Sequence, residues 1–153
     1  APAILARVAP DGSVHIAAED LLFANGMAII DDGKTLIVAE SKAYCLTAFD
    51  IAADGSLSNR RVWAECGNYE PDGICADGKG GIWVTTMQPC VIRLEEGGHV
   101  SHNIATEQRT MACEIGGGND EYLYLCTTAH MNPQQCMDNK SSRIERIDIS
   151  RLN

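Results

Sequence analysis

Two stretches of this chain echo each other. Asn25-Gly26-Met27-Ala28 and Pro71-Asp72-Gly73-Ile74 each open an apolar run of strand length. Each run is followed by an acidic-glycine turn, a second apolar run, and then a further pair of runs. The turns are Asp31-Asp32-Gly33-Lys34 in the first unit and Asp77-Gly78-Lys79-Gly80-Gly81 in the second. A third unit starts near Met111, passes through Gly116-Gly117-Gly118-Asn119-Asp120, and continues into Tyr122 to Thr128. The spacing is 47 residues from Asn25 to Asp72 and 39 from Asp72 to Met111. Four short strands recurring every ~40–45 residues are the pattern of a β-propeller blade.

The remaining segments fit the same unit. Ile4 to Val8 and Ser13 to Ala17 read as a hairpin turned by Asp11-Gly12. Cys45 to Asp50 and the run around Arg61-Val62-Trp63-Ala64 complete the first unit. Val91 to Leu94 and His99 to Ile104 complete the second. In the third, a longer loop, Ala129 to Ser142, precedes Arg143 to Asp148. No segment sustains a 3.6-residue apolar period, so little helix is expected. The Gly-Gly runs lie between strands and open no helix, which argues against a phosphate-binding loop.

The expected fold is therefore all-β, a propeller of about three four-stranded blades per chain and half of a six-bladed ring. The blocks are a partial blade over 1–22, blades over 23–65 and 70–108, and an incomplete blade over 110–153. Three blades cannot close a ring, and open strand edges invite pairing. A second copy would give a six-bladed ring with two-fold symmetry. The alternative is that the chain is one half of a longer protein.

Bulk properties narrow the partners. The chain carries 12 basic and 21 acidic residues, a net charge of −9. That balance argues against phosphate-backbone binding, which needs clustered Lys and Arg. It favours solubility and attraction of cations. No apolar run approaches the ~20 residues of a membrane span. The opening Ala1-Pro2-Ala3 lacks a basic stretch followed by an apolar block, so no signal peptide is read and a cytoplasmic location is expected. The seven cysteines, 45, 66, 75, 90, 113, 126 and 136, include no C-x-x-C pair. Most sit in apolar runs such as Leu123-Tyr124-Leu125-Cys126-Thr127, and buried reduced thiols are expected.

A further set of motifs occurs in order: Phe23-Ala24-Asn25-Gly26-Met27-Ala28, Asp32-Gly33-Lys34-Thr35-Leu36, Ala48-Phe49-Asp50, Leu57-Ser58-Asn59-Arg60-Arg61-Val62, Pro71-Asp72-Gly73-Ile74 and Gly81-Ile82-Trp83-Val84. Together they resemble the C-terminal half of the SMP-30/gluconolactonase/luciferin-regenerating-enzyme family. The resemblance implies a six-bladed propeller and metal-dependent hydrolysis of sugar lactones or related esters. It also implies one divalent cation at the channel mouth. The family's ligands are a first-blade Glu, the Asn of Asn-Gly and the Asp of Pro-Asp-Gly. The last two map onto Asn25 and Asp72. The Glu motif is absent here, as are the family's substrate-binding Arg and Asn from the second-blade region. By the same resemblance Asp72 is the candidate catalytic base.

The chemistry agrees with those residue types. A hard divalent ion takes oxygen ligands, so Ca²⁺ is expected first, with Mg²⁺, Zn²⁺ or Mn²⁺ as alternatives. Asn-Gly and Asp-Gly are also the commonest turn dipeptides, so each has a purely structural reading. Gln88, His130 and Asn132 lie in loops on the Asn25 side and are the candidate substrate contacts. His15, His99 and His102 are expected away from the channel mouth, and Trp63 and Trp83 are read as packing. Two functions stay open: a lactonase-type hydrolase completed by a second copy or a missing N-terminal half, or a non-catalytic half-propeller module for binding or assembly.

Overall fold

The computed structural model describes residues 2–152. Ala1 and Asn153, the outer ends of the expected 1–22 and 110–153 blocks, lie outside the described residues. The chain is all-β, built from small antiparallel sheets that follow one another along the sequence. Strands β1 (Ala3–Val8) and β2 (Val14–Leu21) form a hairpin. The next sheet has the order β3 (Ala24–Ile30), β4 (Thr35–Glu40), β5 (Cys45–Ile51), β6 (Leu57–Glu65). It is followed by β7 (Pro71–Ala76), β8 (Gly81–Thr86), β9 (Cys90–Glu95) and β10 (Val100–Ala105). The last sheet has three strands, β11 (Arg109–Gly116), β12 (Tyr122–Thr128) and β13 (Arg143–Asp148).

Turn chemistry explains why the chain reverses where it does. The carboxylates of Asp11, Asp54 and Asp148 each accept from the backbone N–H and the hydroxyl of the serine two residues on. Such a side chain stands in for a backbone acceptor and fixes a tight turn. Asp77 does the same with Lys79 N–H and Gly81 N–H. It also meets Arg93 at 2.5 Å, which ties that turn to β9.

Three apolar layers hold the sheets together. Ile37, Leu46 and Trp63 of the first four-stranded sheet pack on Ile74, Val84 and Ile92 of the second. Cys75, Trp83 and Val91 of the second pack on Leu123 and Leu125 of the third. Leu5 and Leu21 of the hairpin pack on Val38 and Phe49. Trp63 and Trp83 are thus packing residues, as the sequence indicates.

Some expectations shift. The Ala129–Ser142 loop contains a short helix, α1 (Pro133–Asn139), capped by Asn132 and started by proline at its first position. No helix among the described residues is long and apolar enough to cross a membrane. Cys126 is exposed rather than buried, because among the described residues no sheet lies against its face of β12. Cys90, Cys113 and Cys136 are only partly buried, and all seven thiols are free.

Candidate channel-mouth site

Asn25-Gly26 and Asp72-Gly73 are not turns. Both dipeptides lie inside inner strands, β3 and β7. Pairing jumps from Ala24↔Glu40 to Met27↔Val38, three residues along β3 against two along β4. It jumps in the same way from Pro71↔Thr86 to Ile74↔Val84. In β11 it passes from Thr110↔Thr127 to Ala112↔Cys126, two residues against one. Each inner strand therefore carries one extra residue at the same point. A bulge of this kind re-aims the side chain it carries. The residues set at that point are Asn25, Asp72 and Met111.

The glycines have a separate reason. A Cβ on Gly26 would stand 2.6 Å from Ile74 N and 2.7 Å from Asp72 O. A Cβ on Gly73 would stand 2.7 Å from Ala112 Cα. The inner strands converge backbone against backbone, so only glycine fits after Asn25 and after Asp72. That convergence brings the two candidate ligands together.

Asp72 is 8% exposed, while Asn25 is open to solvent. Burial pushes the Asp72 carboxyl above its ordinary range; a hydrogen bond from Asn25 pulls partly back, and the Glu70 carboxylate adds to the rise. Glu70 is itself occupied by Lys42 Nζ at 2.6 Å. A nearly buried carboxylate held by an amide, with no cationic side chain on it, suits a divalent ion as counter-charge.

Ser41 orients the amide. Its hydroxyl donates to Pro71 O at 2.7 Å and accepts from Asn25 Nδ2 at 3.3 Å. The serine proton is thereby committed to the carbonyl, so the amide presents nitrogen to Ser41 and Oδ1 elsewhere. No sequence motif points to Ser41. It becomes visible only because Ala24 pairs with Glu40 and places residue 41 at the head of β3.

The other candidates separate. Gln88 Nε2 donates to Asn68 O at 2.9 Å, and its Oε1 is buried without a hydrogen-bond partner. Asn132 Oδ1 accepts from Gln134 N and Gln135 N, so its side chain is committed to capping α1. His130 lines a cavity of about 550 Å³ with Met111, Thr128, Cys136 and Ile144. That cavity adjoins the third bulge residue. Among the described residues no group of three or more His, Cys, Asp or Glu side chains is placed to hold a metal ion. Asn25 and Asp72 between them offer two side-chain oxygen donors, fewer than the six to eight ligands that Ca²⁺ takes, which leaves positions for water or substrate.

Known proteins share this arrangement of sheets. The SMP-30/Gluconolactonase/LRE-like region matches residues 1–130. Human regucalcin is 30% identical over 148 residues, covering 88% of this chain and 50% of regucalcin. The structure of a luciferin-regenerating enzyme superposes with a TM-score of 0.82 at 20% identity, over 98% of this chain and 52% of the enzyme. A gluconolactonase from Xanthomonas campestris gives 0.68 at 29% identity, over 81% of this chain and 41% of the other. The chain spans about half the length of the curated relatives it matches. Its small antiparallel sheets are consecutive blades of a propeller of this kind, and the chain belongs to the SMP-30/gluconolactonase/LRE-like family.

Proposed function

We propose that this chain supplies part of a channel-mouth site for divalent-cation-assisted hydrolysis of sugar lactones or related esters. The carrying observation is the pair of equivalent bulges that bring Asn25 and the nearly buried Asp72 into contact. Asp72 provides the negative charge, Asn25 a neutral oxygen, and Ser41 holds the amide in register. The hard oxygen donors favour Ca²⁺, which tolerates irregular coordination and open positions. Bound there, the ion would polarise the carbonyl and acidify an attacking water. Asp72 is also the proposed general base, a role that a bound cation weakens by lowering its proton affinity. The cavity beside Met111 and His130 is the proposed seat of the substrate.

Asn25 and Asp72 alone fill only part of a calcium shell. That shortfall is the observation that favours the second reading, a half-propeller module without catalysis. Calcium titration by calorimetry, on the wild type and on Asp72→Asn, separates the two. Saturable binding that the variant loses, followed by hydrolysis of a δ-lactone, supports the hydrolase. A wild type that binds no divalent ion refutes it.

A further inference from the structure

A buried charge that takes no part in the site lies just behind it. Glu40, the last residue of β4, is 2% exposed. Its Oε2 accepts from Leu22 N–H at 2.6 Å. Its Oε1 accepts from the Thr47 hydroxyl at 2.6 Å and from Arg60 Nη2 at 3.0 Å. The Arg60 fork also donates to Glu19 O at 3.0 Å and to Asp20 O at 3.1 Å. A buried ion pair adds little stability over apolar side chains of the same volume. What this one does is grip backbone, at Glu19, Asp20 and Leu22.

The gripped segment is the lead-in to Asn25. It passes through two left-handed residues that carry side chains, Asp20 at φ 58° and Phe23 at φ 61°. Such backbone is costly for a residue with a Cβ and persists where its surroundings fix it. Here the fixing groups are consecutive. Glu40 takes Leu22 N–H, Ser41 N–H donates to Phe23 O at 3.1 Å, and Lys42 N–H donates to Leu22 O at 3.1 Å. Ala24 then pairs with Glu40 directly before the bulge that carries Asn25. At the other two bulges the equivalent position is a threonine, Thr86 opposite Pro71 and Thr127 opposite Thr110. Thr86 donates within its own turn, to Gln88 O and Cys90 O, and Thr127 donates to Glu145 of its own sheet. The lead-ins to Asp72 and Met111, residues 68–71 and 107–110, keep negative φ throughout. The buried carboxylate and the left-handed lead-in occur together, at Asn25.

We propose that Glu40 is a positioning residue for the Asn25 ligand, acting through Leu22 and the left-handed turn at Phe23. The chemistry of the two ligands explains why Asn25 needs one. A carboxylate such as Asp72 offers a cation two like oxygens and a charge, so a small displacement costs it little. An amide offers one oxygen, and its other end is an N–H₂ that repels a cation. The worth of Asn25 as a ligand therefore depends on where its backbone puts it. Ser41 sets the rotation of the amide. Glu40 sets the place of the strand that carries it. Partners of this outer kind are worth roughly 10–100-fold in metal affinity. The inference rests on the cation-site reading given above.

The test is calcium titration by calorimetry on the wild type, on Glu40→Gln and Glu40→Asp, and on both substitutions in an Asn25→Ala background. Glu40→Gln keeps the size of the side chain and removes its charge. Glu40→Asp keeps the charge, and with it the Arg60 partner, but withdraws the carboxylate from Leu22 N–H by one methylene. Both are expected to weaken calcium binding about tenfold. In the Asn25→Ala background neither is expected to weaken it further by more than about twofold, because the ligand that Glu40 places is gone. Far-UV spectra check that each variant folds, and Glu40→Asp carries the test where Glu40→Gln does not fold. A loss in Glu40→Gln that Glu40→Asp does not share overturns the inference, since charge alone then accounts for it. An equal loss with and without Asn25 also overturns it, since Glu40 then acts on the fold and not on the ligand. A wild type that binds no calcium removes the cation site and the inference with it. A wild type that binds calcium as tightly as both Glu40 variants leaves the site standing and removes Glu40 from it.

Discussion

Gly73→Ala places a methyl group where β7 meets β11, and its cost follows from the packing. The new Cβ would lie 2.7 Å from Ala112 Cα and 2.8 Å from Met111 O. Ordinary contacts start near 3.4 Å, so the two strands must part by about 0.7 Å. The opposing atoms are backbone and cannot rotate away. Overpacking costs about 1–3 kcal/mol, and this site belongs at the upper end. The backbone of Gly73 is in a region open to alanine, so the substitution also gains about 0.4–1 kcal/mol by restricting the unfolded chain. The net expectation is a loss of about 2 kcal/mol, or a fall in Tm of about 4–8 °C at this chain length. Gly118→Ala is the control, because nothing lies within 4 Å of its Cβ direction and its backbone is likewise permissive. It is expected within about 0.5 kcal/mol of the wild type. Urea titration of the three proteins reads both values from the midpoint at constant slope. If Gly73→Ala loses no more than Gly118→Ala, the inner strands are not in backbone contact and the account of the paired glycines fails.

Two further outcomes are expected. For Asp77, burial pushes the carboxyl up, but the Arg93 guanidinium and the Gly81 and Lys79 N–H groups outweigh it and hold the carboxyl below its usual value. Its stabilisation is therefore complete above the unfolded value of about 4 and disappears as pH falls through the lower folded value. Asp77→Asn should cost on the order of 2 kcal/mol at pH 7, a difference that shrinks in urea titrations below about pH 4. A gap that stays constant down to pH 2 contradicts this. Asn132→Ala removes the cap of α1, about 1 kcal/mol of local stability. Hydrogen exchange should quicken at residues 134–139 while the urea midpoint stays put; a shifted midpoint would mean that α1 is part of the core.

Much of this was legible in the sequence because propeller strands are short, alternate in polarity and end in Asp- and Gly-rich turns. The run Ile82-Trp83-Val84 and the turn at Asp77 are local signals, and local signals survive into structure. Asn25 and Asp72 were recognisable as equivalents from their place in the repeat. What stayed hidden is non-local. The reason for Gly26 lies at Ile74 and Asp72, and the reason for Gly73 lies at Ala112, contacts between sheets that no window on the chain reveals. Ser41 is invisible for the same cause, since its two partners lie 16 and 30 residues away. Cys126 reads as buried because alternation along β12 says nothing of whether a sheet lies beyond it. Asn132 reads as a free loop amide until Pro133 starts a helix after it.

The glycine contacts on either side of β7 bear on how finely Asp72 is placed. This strand is touched backbone to backbone by β3 at Gly26 and by β11 at Gly73, with no side chain between them to act as a cushion. Close-packed main chain is stiff against sideways displacement, because no rotamer change can absorb it. Asp72 inherits that stiffness from its strand instead of from a shell of hydrogen bonds. Its carboxylate is thus preorganised by the spacing of the sheets themselves, and any change that parts the inner strands by a fraction of an ångström is transmitted directly to it.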